Sequence, residues 1–149
     1  MDPLVFGVVT QFLFIIRRCV IAGYANRVIH MPFPELSEDP ENDPIWVSLR
    51  NPRLVPPEEL RPKGVATDPN TGQPLDTNAA EMAMYTVFAK LIIGWRVYDA
   101  SYMALDETTG EPLDQPRLPM PPTPETVAKL PSAILTRLVE EFTQAANPR

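Results

Sequence analysis

The side chains able to do chemistry in this chain are few and scattered. One cysteine, Cys19, and one histidine, His30, are present. With a carboxylate they could form a nucleophile–base pair, the imidazole taking the thiol proton. Nothing in the spacing brings the two together, and a small buried hydrophobe is the plainer reading of Cys19. A single cysteine leaves no internal disulfide and no multi-cysteine metal site, and a single histidine removes most metal-ligand and triad arrangements. A cytosolic, reducing compartment is the simplest fit. Asp106, Glu107, Glu111 and Asp114 flank a turn and invite a paired-carboxylate reading, but nothing beside them would raise one pKa. Glu35, Glu38, Asp39, Glu41 and Asp43 form a denser acidic run. It lacks the glycine and the terminal bidentate Glu of a calcium loop, so a solvated charged turn is expected. Trp46, Trp95, Tyr85 and Tyr98 could line a ligand pocket, although aromatic residues at helical spacing belong more often to a core. There is no nucleophile elbow, phosphate-binding glycine loop, dinucleotide fingerprint or zinc spacing. These residues predict no enzyme, no cofactor and no bound metal.

Bulk charge narrows the partners. The formal charge is −6 in 149 residues. A phosphate-backbone binder needs a basic face, and an anionic membrane attracts basic segments, so neither nucleic acid nor membrane is an expected partner. The apolar stretch 4–16 is too short to span a bilayer, is interrupted by Gly7, Thr10 and Gln11, and stops at Arg17-Arg18. It reads as a core segment. The length suits one domain, 1–149.

Proline marks out the elements that must position these residues. The nineteen prolines avoid 4–31 and 75–111, and regular structure should concentrate there, because proline lacks a backbone donor and blocks helix interiors. Residues 8–16, 19–22 and 27–31 read as strands on their β-branched and aromatic content; a helix over 4–21 is the rival. Residues 32–44 form a linker, and 45–49 alternate as a short strand. Residues 64–76 and 106–112 are turn-rich loops. Asn78 is the expected N-cap of the strongest helix, with Glu81 in the capping-box position. Its stripe runs through Met82, Tyr85, Phe88, Ile92 and Trp95. Thr123-Pro124 is a helix start, threonine capping and proline at the first position. A final helix carries Ile134, Leu135, Leu138, Val139 and Phe142 on one side. The expected class is α+β: a small N-terminal antiparallel β-sheet followed by a C-terminal bundle of about three helices with long proline-rich connections. Its parts are a β-rich region at 1–50, a proline-rich linker at 51–76 and a helical region at 77–147.

Several of these segments match a known family. Leu91-Ile92-Ile93-Gly94-Trp95-Arg96-Val97-Tyr98-Asp99 is followed by a polar turn, by Pro119-Met120-Pro121-Pro122-Thr123-Pro124-Glu125-Thr126-Val127, by Lys129-Leu130-Pro131 and by a closing helix. This order resembles tail assembly chaperones of long-tailed, siphovirus-type bacteriophages, those of actinobacterial phages above all. Upstream, Asp43-Pro44-Ile45-Trp46-Val47-Ser48-Leu49-Arg50-Asn51-Pro52 is similar to the family's strand and Asn-Pro step, so the likeness covers about residues 43–147. The resemblance implies a protein of the host cell cytoplasm that binds the tape-measure protein and tail-tube protein and keeps them soluble until they polymerise. A chaperone needs an apolar surface to offer a client. We expect it on Met82, Tyr85, Phe88 and Trp95 together with Leu135, Leu138 and Phe142. Assembly as a homo-oligomer is left open. A virion structural protein (tail-tube, tail-completion or head-decoration subunit) would use the same faces permanently, and a host adaptor has a similar composition.

Overall fold

The computed structural model of the chain describes residues 22–146. The strand expected at 8–16, nearly all of that at 19–22, and Cys19 lie outside the described residues. Three five-residue strands form one antiparallel sheet in the order β1-β2-β3: β1 is Val28–Pro32, β2 is Trp46–Arg50 and β3 is Ile92–Arg96. Pairing of Ile29 with Leu49, of Met31 with Val47, and of Val47 with Trp95 places these apolar side chains on one face. The opposite row holds His30, Ser48 and Gly94. There His30 Nδ1 lies 2.7 Å from Ser48 Oγ, and the His30 and Trp46 rings are 5.4 Å apart.

Four helical segments complete an α+β fold. They are α1 (Pro57–Leu60), α2 (Thr77–Leu91), α3 (Pro124–Val127) and α4 (Ser132–Ala146). The cap of α2 is Asp76 rather than Asn78. Its carboxylate accepts from the backbone N–H groups of Asn78 and Ala79 at 3.0 and 3.3 Å, which moves the cap and the helix start two residues upstream. The expected helical stripe also ends early, because Ile92 to Arg96 belong to the sheet. In a regular strand Ile92 and Trp95 would face opposite sides. A bulge opposite Ser48 and Leu49 inserts one residue, so both turn inward while Ile93 stays 48% exposed. A spacing of three, the mark of a helix face, is thereby satisfied by a bulged strand.

Thr123 caps α3 as expected: its hydroxyl accepts from the Thr126 N–H at 3.2 Å, and the Thr126 hydroxyl accepts from the Thr123 N–H at 2.8 Å. That reciprocal cap aims Val127 inward. Val127 joins Val47, Leu49, Val97, Ile134 and Leu138 as the most deeply buried side chains of the core between sheet and helices.

Two loops are built as the same hairpin. Segments 66–76 and 104–114 share Ala, Asp, Thr-Gly and Pro-Leu-Asp at matching places. Thr67 bridges Pro74 in one and Leu105 bridges Pro112 in the other. In each, the glycine N–H donates to the aspartate carbonyl at 2.8 Å, from Gly72 to Asp68 and from Gly110 to Asp106. Both glycines sit at φ +73°, where a Cβ would be strained.

Candidate functional site

The two acidic segments, distant in sequence, stand as facing walls of one groove. The first wall follows the 3-10 turn Pro34–Leu36. It is folded back by its own hydrogen bonds: Ser37 Oγ donates to the Asp43 carbonyl at 2.6 Å, and the Asp43 N–H donates to the Asp39 carbonyl at 2.7 Å. The second wall is the 104–114 hairpin. It is anchored to the end of the sheet, where the Asp99 N–H donates to the Pro116 carbonyl at 2.9 Å and the Leu118 N–H to the Val97 carbonyl at 3.0 Å. Between them lies a groove of about 600 Å³, whose apolar lining is Leu36, Ile45, Tyr98, Met103 and Leu113. A further hollow of about 200 Å³ continues from Leu36, Ile45 and Tyr98 toward Pro131 and Ile134. Met103 is 74% exposed and Leu113 45% exposed.

The two segments that wall this groove are acidic, while Arg96 and Arg117 lie near Asp43 and Tyr98 in its lining. Residues 33–45 and 99–116 hold five carboxylates each, of nineteen in the chain, and neither stretch contains a lysine or arginine. Glu38, Asp43 and Asp114 line the groove itself. Among the described residues, the ion pairs made by these stretches are Asp43 with Arg96 and Asp99 with Lys129.

Asp43 is the structural knot of the site. It accepts from the Tyr98 hydroxyl at 2.6 Å and from the Arg96 guanidinium, which also reaches the Pro44 carbonyl at 3.2 Å. These bonds tie the first wall to β3 at Arg96 and to Tyr98, two residues beyond it. The Tyr98 hydroxyl, then Arg96, hold the Asp43 carboxyl below its usual value. Donating to Asp43, with partial burial, pushes the Tyr98 phenol above its usual value. Asp43 is thus held ionised and Tyr98 protonated, so the trio fixes geometry and has no proton poised for transfer at pH 7. The candidates for chemistry stay apart. His30 lies on the open sheet face beside Ser48 and Trp46. Asp106 accepts from the N–H groups of Thr108 and Thr109, which, with Thr109 as the larger cause, lower its pKa. Among the described residues no group of three His, Cys, Asp or Glu is placed to hold a metal ion.

The expected client face is largely internal. Phe88, Trp95 and Leu138 are 2%, 4% and 2% exposed. Tyr85, Leu135 and Phe142 are partly buried against the same core, and Met82 is 39% exposed. The reason is geometric: α2 packs mainly on α3, α4 packs on the 3-10 turn Pro52–Leu54, and the Phe88 and Phe142 rings meet edge to face at 6.2 Å. The groove that these helices were expected to offer is filled by the chain itself. Of the expected aromatic set, Trp95 is core, and its indole N–H finds no acceptor among the described residues. Tyr98, named above as a possible pocket residue, does line an open groove, but its neighbours there, Leu36, Ile45, Met103 and Leu113, are not singled out by the sequence. Their signal was present as two cation-free acidic runs, each interleaved with apolar residues.

Among the described residues no helix is long and apolar enough to cross a membrane. Comparison with known proteins finds no matching family model, no similar curated protein and no similar solved structure.

Proposed function

We propose that this protein is a tail assembly chaperone of a long-tailed bacteriophage, acting in the host cytoplasm on tape-measure and tail-tube proteins. Two things support the reading: the resemblance over residues 43–147, and a surface suited to holding a polypeptide. The second carries it. An open groove that mixes apolar side chains with acidic and polar ones, with a flexible thioether at its lip, offers contact area to a protein segment while the rest of the molecule stays well solvated. Methionine adapts to differing side chains, which suits a protein that must hold a client and release it.

Co-expression with the neighbouring tail proteins, followed by affinity capture, tests the proposal. The wild-type chain retains tape-measure or tail-tube protein and raises its soluble fraction. Met103→Asp loses both while folding normally, because Met103 is 74% exposed and contributes little to the core. Failure of the wild type to retain either protein would refute the proposal. Presence of the chain in finished particles would instead identify a virion structural protein.

A further inference from the structure

The groove also specifies the chemistry of what it holds. We propose that it takes a basic amphipathic helix of a client protein, with apolar side chains on the floor at Leu36, Ile45 and Tyr98 and against Met103 at the lip, and lysines or arginines against the two walls. The inference rests on the chaperone reading and narrows it from a protein segment to one kind of segment.

Three observations carry it. First, the wall segments 33–45 and 99–116 contain no lysine or arginine, and two of the carboxylates that line the groove have no cation of their own. Glu38 and Asp114 stand on opposite walls of the groove, and among the described residues neither makes an ion pair. A neutral or acidic occupant would leave these charges facing apolar or like-charged groups, whereas a basic one answers them on both sides. Second, Asp43 does not compete for the occupant, because Arg96 and Tyr98 already engage it. The charge left for a partner is therefore that of the walls, above the apolar floor. Third, the groove is lined by side chains of a 3-10 turn, a loop and a hairpin rather than by a strand edge. An extended peptide would find no ladder of backbone donors and acceptors to join. A helix satisfies its own backbone and presents apolar residues at i, i+3, i+4 and i+7 to such a floor.

Two synthetic peptides test this. One carries leucines at i, i+3, i+4 and i+7 with lysines elsewhere; the other has the same leucines with glutamates in place of the lysines. Fluorescence anisotropy measures binding, and amide and methyl shifts locate it. The lysine peptide binds, shifts the signals of Ile45, Tyr98, Met103 and Leu113, and weakens as salt is raised. The double variant Glu38→Gln/Asp114→Asn binds it about fivefold more weakly, the effect of two exposed ion pairs of ordinary strength. Glu81→Gln, an exposed change on α2 outside the groove, leaves affinity unchanged and controls for non-specific attraction to an acidic protein. Equal binding of the glutamate peptide, shifts that map elsewhere, or equal weakening by Glu81→Gln would each overturn the proposal. Affinity capture separates it from the chaperone reading. If the double variant still retains tail proteins as well as the wild type does, chaperoning stands and this assignment falls. If the wild type retains none, the chaperone reading itself falls.

Discussion

Truncating Phe142 separates an internal face from a client face. If the ring were reserved for a partner, Phe142→Ala would leave stability untouched and weaken only binding. The structure predicts the reverse. Phe142 is half-buried, packs against the core and meets Phe88 edge to face at 6.2 Å. Deleting a fully buried phenylalanine costs about 3–5 kcal/mol, and partial burial scales this to about 2 kcal/mol. Within that total, the edge-to-face pair with Phe88 accounts for about 1 kcal/mol. A domain of this size has a stability of about 5–15 kcal/mol, so the variant folds but is measurably weaker. Urea denaturation, followed by the fluorescence of buried Trp95, is the assay. With a urea dependence of about 2 kcal/mol per molar, the midpoint falls by about 1 M. A double-mutant cycle pairing Phe88→Leu with Phe142→Leu isolates the ring contact, with an expected coupling of about 0.5–1.5 kcal/mol. An unchanged midpoint with zero coupling would refute the packing argument and return Phe142 to the outer surface.

Three further outcomes are expected. Asp43→Asn lowers stability at neutral pH. Because the native Asp43 pKa is depressed below 3.8, the wild-type advantage is full above that value and is lost as pH falls through the native pKa; a gap that persists into strong acid would exclude the Tyr98–Arg96 explanation. Gly72→Ala and Gly110→Ala each cost about 1 kcal/mol by denaturant titration, since both glycines lie at φ +73° with open space around the missing Cβ; clearly unequal costs would deny that the hairpins are built alike. Thr123→Ala removes the reciprocal cap of α3 and costs about 1 kcal/mol, seen as a lower thermal midpoint; Thr123→Ser, which keeps the hydroxyl, loses much less.

Local chemistry was readable without coordinates wherever it did not depend on a distant partner. Thr123-Pro124 starts a helix because a hydroxyl cap and a fixed φ act within one turn. The strand expected at 45–49 forms at Trp46–Arg50 because alternate side chains sort to two faces. Errors arose where one pattern has two solutions. Ile92 and Trp95 are three apart, which matches a helix face as well as a bulged edge strand, and only β2 lying alongside chose the strand. Asp76 displaced Asn78 as a cap because both residue types suit the role and the position of the preceding hairpin decided between them. The likeness between segments 66–76 and 104–114 could have been read directly by aligning the two loops.

By itself, the sequence determined the α+β class, the acidic surface, the capped start of α3 and the apolar stripes of α2 and α4. These follow from interactions within a few residues or from composition. Only the tertiary structure decided what the stripes face and which acidic segments meet. Burial is a property of pairs: Phe88 becomes core when Phe142 arrives from a helix more than fifty residues further along the chain. In the same way, the run at 35–43 and the hairpin at 104–114 become two walls of a groove because Asp43 binds Arg96 and Tyr98 across the fold, a contact that no local rule encodes.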